Sequence, residues 1–202
     1  MKTGLIIIVG YLLGSVPFSY IIARLVKGVD IRKYGSGNIG AANVFLTIGP
    51  MAGILAGILD AGKGIMAILI AKQFILDECG IVFTGLASIV GHNWPVYLGF
   101  VGGKGVATSF GILTCLVPRE LFIALGAWVL IVSLSRYITL GGIIAGLFLP
   151  ILVWYFGRPK LFIISSAVII CLLGIKTFSS IKDLFNGKEC KIGERREEPS
   201  LS

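Results

Sequence analysis

The chain has 202 residues, of which 56% are hydrophobic and only 14% charged, and its mean hydropathy is +0.96. An ordinary soluble domain is roughly 45 to 50% apolar and about 25% charged, so a water-soluble globule is excluded, and disorder, collagen and a disulfide scaffold fall with it. The formal charge of +8, in so apolar a chain, reports membrane orientation and attraction to anionic lipid rather than nucleic acid.

Seven apolar stretches predict seven helical crossings, each needing about 20 residues. The first, Leu5 to Ala23, is too long for the apolar core of a signal peptide and has no clear A-x-A cleavage site. Met51 to Ile70 follows, interrupted by Asp60 and Lys63. Then come Ile81 to about Phe100, Val106 to Val117, Leu121 to Leu134, Ile138 to Phe156 and Leu161 to Ile175. The fourth and fifth stretches, 12 and 14 residues long, require tilt, local thinning or help from loop residues. The expectation is an all-α, polytopic membrane protein with seven transmembrane helices over residues 1–177 and a cytoplasmic polar tail over 178–202; five crossings is the alternative. The tail from Lys176 onward reads as an amphipathic helix that gives way to disorder after Gly193.

With seven crossings, 12 of the 18 Lys and Arg fall on one side, 5 on the other, and Lys63 lies within a span. That bias puts the N-terminus outside and the tail in the cytoplasm. Small residues four apart, at Gly10 and Gly14, Gly53 and Gly57, and Gly142 and Gly146, have the spacing that lets helix backbones touch. Cys79, Cys115, Cys171 and Cys190 form no metal-ligand or redox spacing and read as packing residues.

The outer connections, around Asp77, Arg119 and Pro159, are short and poor in donors, whereas two cytoplasmic segments are glycine-rich and basic, which suits an anionic ligand. The first is Gly35-Ser36-Gly37-Asn38-Ile39-Gly40-Ala41-Ala42-Asn43. Its G-x-G-x-x-G spelling is not a dinucleotide fingerprint, because that motif needs a strand before it and here a membrane helix and a charged linker precede. The physics of the motif still applies: glycines let backbone N–H groups converge on an oxyanion, and Ser36 and Asn38 add side-chain donors. A flexible interhelical loop is the plainer reading, and the cluster of donors stands against it.

The second segment is Gly91-His92-Asn93-Trp94-Pro95 followed by Phe100-Val101-Gly102-Gly103-Lys104-Gly105-Val106-Ala107-Thr108. A Walker A loop requires Ser or Thr after its lysine, and here that residue is Gly105. Gly102, Gly103 and Gly105 around Lys104 at a helix start nevertheless offer bare N–H groups, a helix dipole and an ammonium to a phosphate, against the simpler reading that Lys104 snorkels to the interface. His92 is the single histidine; no Ser, Cys or Asp at triad spacing accompanies it, and it reads as a structural donor at a helix end. The H-x-x-x-x-D signature of many acyltransferases is absent, since Tyr97 stands at its fifth position. Asp60 and Lys63, three apart on one helical face within a span, read as support for the cytoplasmic site, with a proton pathway as the alternative.

Together the two segments resemble the bacterial acyl-phosphate:glycerol-3-phosphate acyltransferase family (PlsY). The match is close from Gly35 to Ala41 with Asn43-Val44, and in Gly91-His92, Pro95 and Phe100 through Thr108. It extends more loosely over the chain, with Arg136-Tyr137 similar to the start of a third motif and Gly187-Lys188-Glu189 similar to a tail signature. The resemblance implies a seven-helix inner-membrane enzyme that moves an acyl group from acyl phosphate to the 1-hydroxyl of glycerol 3-phosphate, without coenzyme A. No metal or cofactor is implied. An acyl phosphate is already activated, so such a protein chiefly positions two anions and stabilises developing charge, and a phosphate oxygen can take the hydroxyl proton. By the same carry-over Ser36, Asn38 and Lys104 are the candidate catalytic residues. Gly35, Gly37, Gly40, Asn43, His92, Gly102, Gly103, Gly105 and Arg136 are the candidate substrate-binding residues, His92 bracing the second loop.

Several positions depart from the family pattern. Ala42 stands for Thr, Leu46 for Arg, Thr139 and Gly142 for serines, and Lys176, Thr177 and Ser180 for an Arg-His pair and a later Asn. Losing an Arg fork removes charge-assisted hydrogen bonds worth about 1.5 to 3 kcal/mol each, unless Lys176, Lys182 or Arg136 compensates. Three function classes therefore stand at this point: the acyltransferase, a paralogue acylating a less anionic acceptor, and a non-catalytic lipid-binding protein on the same scaffold. A transporter is the poorer fourth, since only Asp60 and Lys63 lie at depth.

Overall fold

The computed structural model describes residues 2–75, 77–187, 189 and 191. Among them the chain forms nine α-helices, two short 3-10 turns and no strand. The helices are α1 (Lys2–Ser15), α2 (Phe18–Lys27), α3 (Ala41–Thr47), α4 (Pro50–Phe74), α5 (Glu78–Asn93), α6 (Val106–Leu116), α7 (Pro118–Ser135), α8 (Ile138–Tyr155) and α9 (Lys160–Phe185). Five helical segments are long and apolar enough to cross a bilayer: α1 with α2 taken together, α4, α7, α8 and α9. At 16 and 11 residues, α5 and α6 fall short of that length.

Proline explains where the helices depart from the apolar runs. The first run is not one helix, because Pro17 has no N–H to donate and disfavours helical backbone at Val16, so α1 and α2 meet at a break. The third run ends as helix at Asn93, two residues before Pro95, rather than near Phe100. Where proline falls at the first helical position, as in Pro50 of α4 and Pro118 of α7, it starts the helix instead. α9 continues ten residues past Ile175, to Phe185, in one uninterrupted helix. The tail beyond Lys191, with Cys190 and Lys188, lies outside the described residues.

In lipid, apolar surface gains little by leaving its surroundings, so helices associate by close packing over small residues. α1 lies chiefly on α5 and α4 on α6. A side chain at Gly14 would run into the Ser88 backbone of α5, one at Gly64 into Thr108 of α6, and one at Gly111 into Ala61 of α4. The Gly10 and Gly53 positions of the expected stripes also pack tightly, against Thr84 and Phe45, but Gly142 has no neighbour within 4 Å and is not a packing position.

The alternating helices gather the connections at two ends. One end holds the turns after α4, α6 and α8, where Lys72 donates to the Cys115 carbonyl and Glu120 takes both Arg158 nitrogens, at 2.7 and 3.2 Å. The other end holds both glycine-rich segments and the close of α9.

Candidate active site

The first glycine segment is an ordered loop folded around one side chain. Asn43, on the first turn of α3 and buried, donates to the carbonyls of Ile31, Tyr34 and Asn38, at 3.3, 3.0 and 3.0 Å, and accepts from the Ser36 N–H at 3.1 Å. Gly35 and Gly37 take left-handed φ values of 58° and 69°, which lets the chain curl around that amide. Asp30 opens the loop: it accepts the Arg32 N–H and pairs with its guanidinium at 2.7 Å, which holds the carboxyl down to about 2. The N–H groups of Ser36 and Gly37 thus point inward, to Asn43 and to the Tyr34 carbonyl. Asn43 serves as the loop's scaffold, and its own donors are spent on carbonyls. What faces outward is the Ser36 hydroxyl and the Asn38 amide, whose side chain makes no hydrogen bond among the described residues.

The second segment is wedged between its neighbours. Gly103 donates its N–H to the His92 carbonyl at 3.1 Å. A side chain on Gly103 would strike two groups at once, the His92 Nε2 and the carbonyl of Ile39 in the first loop, and one on Gly102 would strike the His92 carbonyl and Pro95. Gly103 is therefore the point where the two loops touch, with Asn38 beside one partner and Lys104 beside the other. Gly105 follows at φ 81° and opens α6, whose first backbone bond is Ser109 N–H to the Gly105 carbonyl at 2.8 Å. The N–H groups of Val106, Ala107 and Thr108 precede that bond and have no intrahelical acceptor.

Lys104 extends from this helix start towards α9 and donates to the Ser180 hydroxyl at 2.8 Å. Burial pushes its ammonium below the usual lysine range, and Glu189 and Asp183 partly offset that. Lys176, one turn earlier on α9, lies over the Trp94 ring at 4.8 Å. Glu189 accepts from the Thr139 N–H at the start of α8, at 3.1 Å.

Beneath the loops lies a buried polar network anchored on α4. The Lys63 ammonium is 2.9 Å from Asp60 Oδ1 and donates to the Val16 carbonyl, freed by the α1–α2 break, at 2.8 Å. Ser19 donates to Asp60 Oδ2 at 2.9 Å, and Thr108 donates to the Asp60 backbone carbonyl at 3.0 Å. Each ion is thereby paired and hydrogen-bonded, which is what a charge at membrane depth requires. A small cleft bordered by Ser15, Pro17, Asp60, His92, Gly102 and Gly103 separates this network from the loops.

The fold thus joins the loop that carries Gly35, Ser36, Gly37, Asn38, Gly40 and Asn43 to the one that carries Gly102, Gly103, Lys104 and Gly105, through the approach of Gly103 to the Ile39 carbonyl and to His92. Arg136 stands apart. It caps α7 in a left-handed conformation at φ 64° and lines a separate surface groove with Trp128, Val129, Val132 and Ser133. Thr108 closes the second motif and Ser180 is a departing position, but the bonds they make, like that of Ser19, are not readable from either, because their partners lie 41 to 76 residues away in the chain. Among the described residues, no cluster of three or more His, Cys, Asp or Glu is placed to hold a metal ion.

Residues 4–187 match the family model described as glycerol-3-phosphate acyltransferase. The chain belongs to this family. A glycerol-3-phosphate acyltransferase of Desulforamulus reducens is 41% identical over 196 residues, covering 97% of this chain and 98% of the relative. One of Moorella thermoacetica is 41% identical over 191 residues, covering 95% and 98%. Among solved structures, PlsY, an integral membrane glycerol 3-phosphate acyltransferase, superposes in its glycerol 3-phosphate form with a TM-score of 0.88 at 38% identity, over 96% of each chain. Its lysophosphatidic acid form gives 0.87. With five helical segments able to span a bilayer, this acyltransferase-family member is an integral membrane protein of all-helical fold.

Proposed function

We propose that the protein transfers a fatty acyl group from acyl phosphate to the 1-hydroxyl of glycerol 3-phosphate, releasing lysophosphatidic acid and inorganic phosphate. The observation that carries this reading is the contact of the two loops at Gly103, which joins the segment bearing Ser36 and Asn38 to the segment bearing Lys104 and the open N–H groups of α6. Two donor-bearing segments meet there, as two anions held side by side require. In the step itself the acceptor oxygen bonds to the acyl carbon, the bond from that carbon to the phosphate oxygen breaks, and the hydroxyl proton leaves on phosphate. Lys104 neutralises charge on the departing phosphate, while Ser36 and Asn38 hold the anion in line. Gly35, Gly37, Gly40 and Asn43 shape the first loop; Gly102, Gly103, Gly105 and His92 shape the second.

In this reading α5 and α6 cross as well, giving seven crossings with α1 and α2 as one broken span. The loop end faces the cytoplasm of an inner membrane, the N-terminus lies outside, and the acyl chain approaches from the inner leaflet between helices. The test is full-length protein in nanodiscs, given palmitoyl phosphate and labelled glycerol 3-phosphate. Lysophosphatidic acid and phosphate should appear in equal amounts, and Lys104→Ala should lower the rate about 100-fold or more. A folded wild-type protein that forms no ester refutes the reading.

One observation favours a second reading, a less anionic acceptor. Leu46, standing where the family pattern has Arg, is 82% exposed on α3, and Ser180, where the pattern has Asn, accepts the Lys104 hydrogen bond. Ester formed with neutral alcohols but not with glycerol 3-phosphate, in the same assay, would select it.

A further inference from the structure

His92 has two ring nitrogens, and its surroundings decide which of them carries the proton. Nδ1 lies 3.2 Å from the Thr108 hydroxyl oxygen and 3.6 Å from Asp60 Oδ1. The Thr108 hydroxyl has one proton, and it is directed at the Asp60 backbone carbonyl, which can only accept. Thr108 Oγ1 is then an acceptor towards the ring. A bare Nδ1 would set its lone pair against that oxygen and against a carboxylate oxygen as well. Both neighbours therefore call for a proton on Nδ1, which leaves Nε2 as the unprotonated nitrogen.

The consequence falls on the loop contact. Nε2 lies directly against Gly103, where the Ile39 carbonyl closes from the other side. Among the described residues Nε2 makes no hydrogen bond, so no acceptor there competes with Nδ1 for the ring proton. The backbone adds a second tie, since the His92 carbonyl accepts the Gly103 N–H. Thr108 is fully buried and held against α4 by the close approach at Gly64, so the lock rests on helix packing rather than on a mobile side chain.

We infer that Thr108 is a positioning residue for the transfer reaction: it fixes His92 as the Nδ1–H tautomer and so holds Gly103, and with it Lys104, in register with the first loop. This rests on the acyltransferase reading for its effect on rate, but not for the tautomer itself. Asp60 is the anchor, through its backbone carbonyl and its carboxylate, and Lys63 and Ser19 keep that carboxylate in place.

Because His92 is the single histidine in the chain, one spectrum reads it. Full-length protein labelled with ring-¹⁵N histidine should show at neutral pH a protonated Nδ1 and an unprotonated Nε2. Thr108→Val, which keeps the volume and removes the oxygen, should lose that single tautomer and lower kcat for lysophosphatidic acid formation about 10-fold or more. Thr108→Ser should restore both the tautomer and the rate. A wild-type spectrum with Nε2 protonated overturns the inference, as does a Thr108→Val protein that changes tautomer without losing turnover. Should Thr108→Val not insert stably, the wild-type and Thr108→Ser spectra still decide. Absence of turnover in wild type with the expected tautomer sinks the acyltransferase reading and leaves the lock standing.

Discussion

The two loops that meet at Gly103 use glycine for different reasons. In the first, Gly35 and Gly37 sit at left-handed backbone angles around the Asn43 amide, and most of the loop between Arg32 and Gly37 is open to the surroundings. In the second, Gly102 and Gly103 have ordinary angles and are needed because there is no room for anything larger between His92, Pro95 and Ile39. At Gly37 conformation decides and at Gly102 and Gly103 space does, while Gly35 answers to both, since a side chain there would also strike Asn43 and Thr47, and Gly105 returns to a left-handed angle. The same residue type in two adjoining motifs therefore fails differently when replaced.

The sharpest way to break this distinction is at the contact itself. Gly103→Ala should lower turnover at least about 10-fold and cost about 1 to 3 kcal/mol of stability, because both obstructing groups are held, one by the ring lock and one by the loop backbone. Rate and thermal unfolding of the purified variant check it, and near-normal turnover would show that the loops do not need to touch. Gly37→Ala should do less. Its added methyl would lie 3.2 Å from the Arg32 carbonyl, so the cost is mainly the left-handed angle, about 1 to 2 kcal/mol, and turnover should persist at low temperature.

The mildest effect concerns pH. Burial holds the Lys104 ammonium below the usual lysine range, and the charged form is the working one in the proposed reaction, so activity should be lost as pH rises through that depressed value. Lys104→Arg, where it retains turnover, should move the alkaline limb upward, because guanidinium stays charged. The Asp30 clamp, by contrast, should leave the profile unchanged above the ordinary carboxylate range: its pKa is lowered, so its contribution is fully present there and is lost progressively as pH falls from that range through about 2.

Much of this site is legible in the order of residues. The glycine runs and Lys104 announce themselves, because close backbone approach, and the phosphate contact proposed for them, demand particular residues at particular spacing. The helices were legible as apolar runs, but their ends were set by proline: Pro17 divides one run and Pro95 shortens another, and apolar content does not register either. The role of Asn43 shows why donors alone mislead. An amide in a donor-rich loop can be the ligand's partner or the loop's own, and only the carbonyls around it tell which. Thr108 stands in the second motif and Ser180 at a departing position, yet their roles were opaque for another reason, since each acquires its meaning from a partner that folding brings from far along the chain.

The Lys104 to Ser180 bond joins residues 76 apart, and Ser180 lies near the end of α9. A nascent chain inserted only as far as α8 has both loops but nothing to receive the ammonium. The Lys104 ammonium thus gains its partner only when α9 packs back against the second loop.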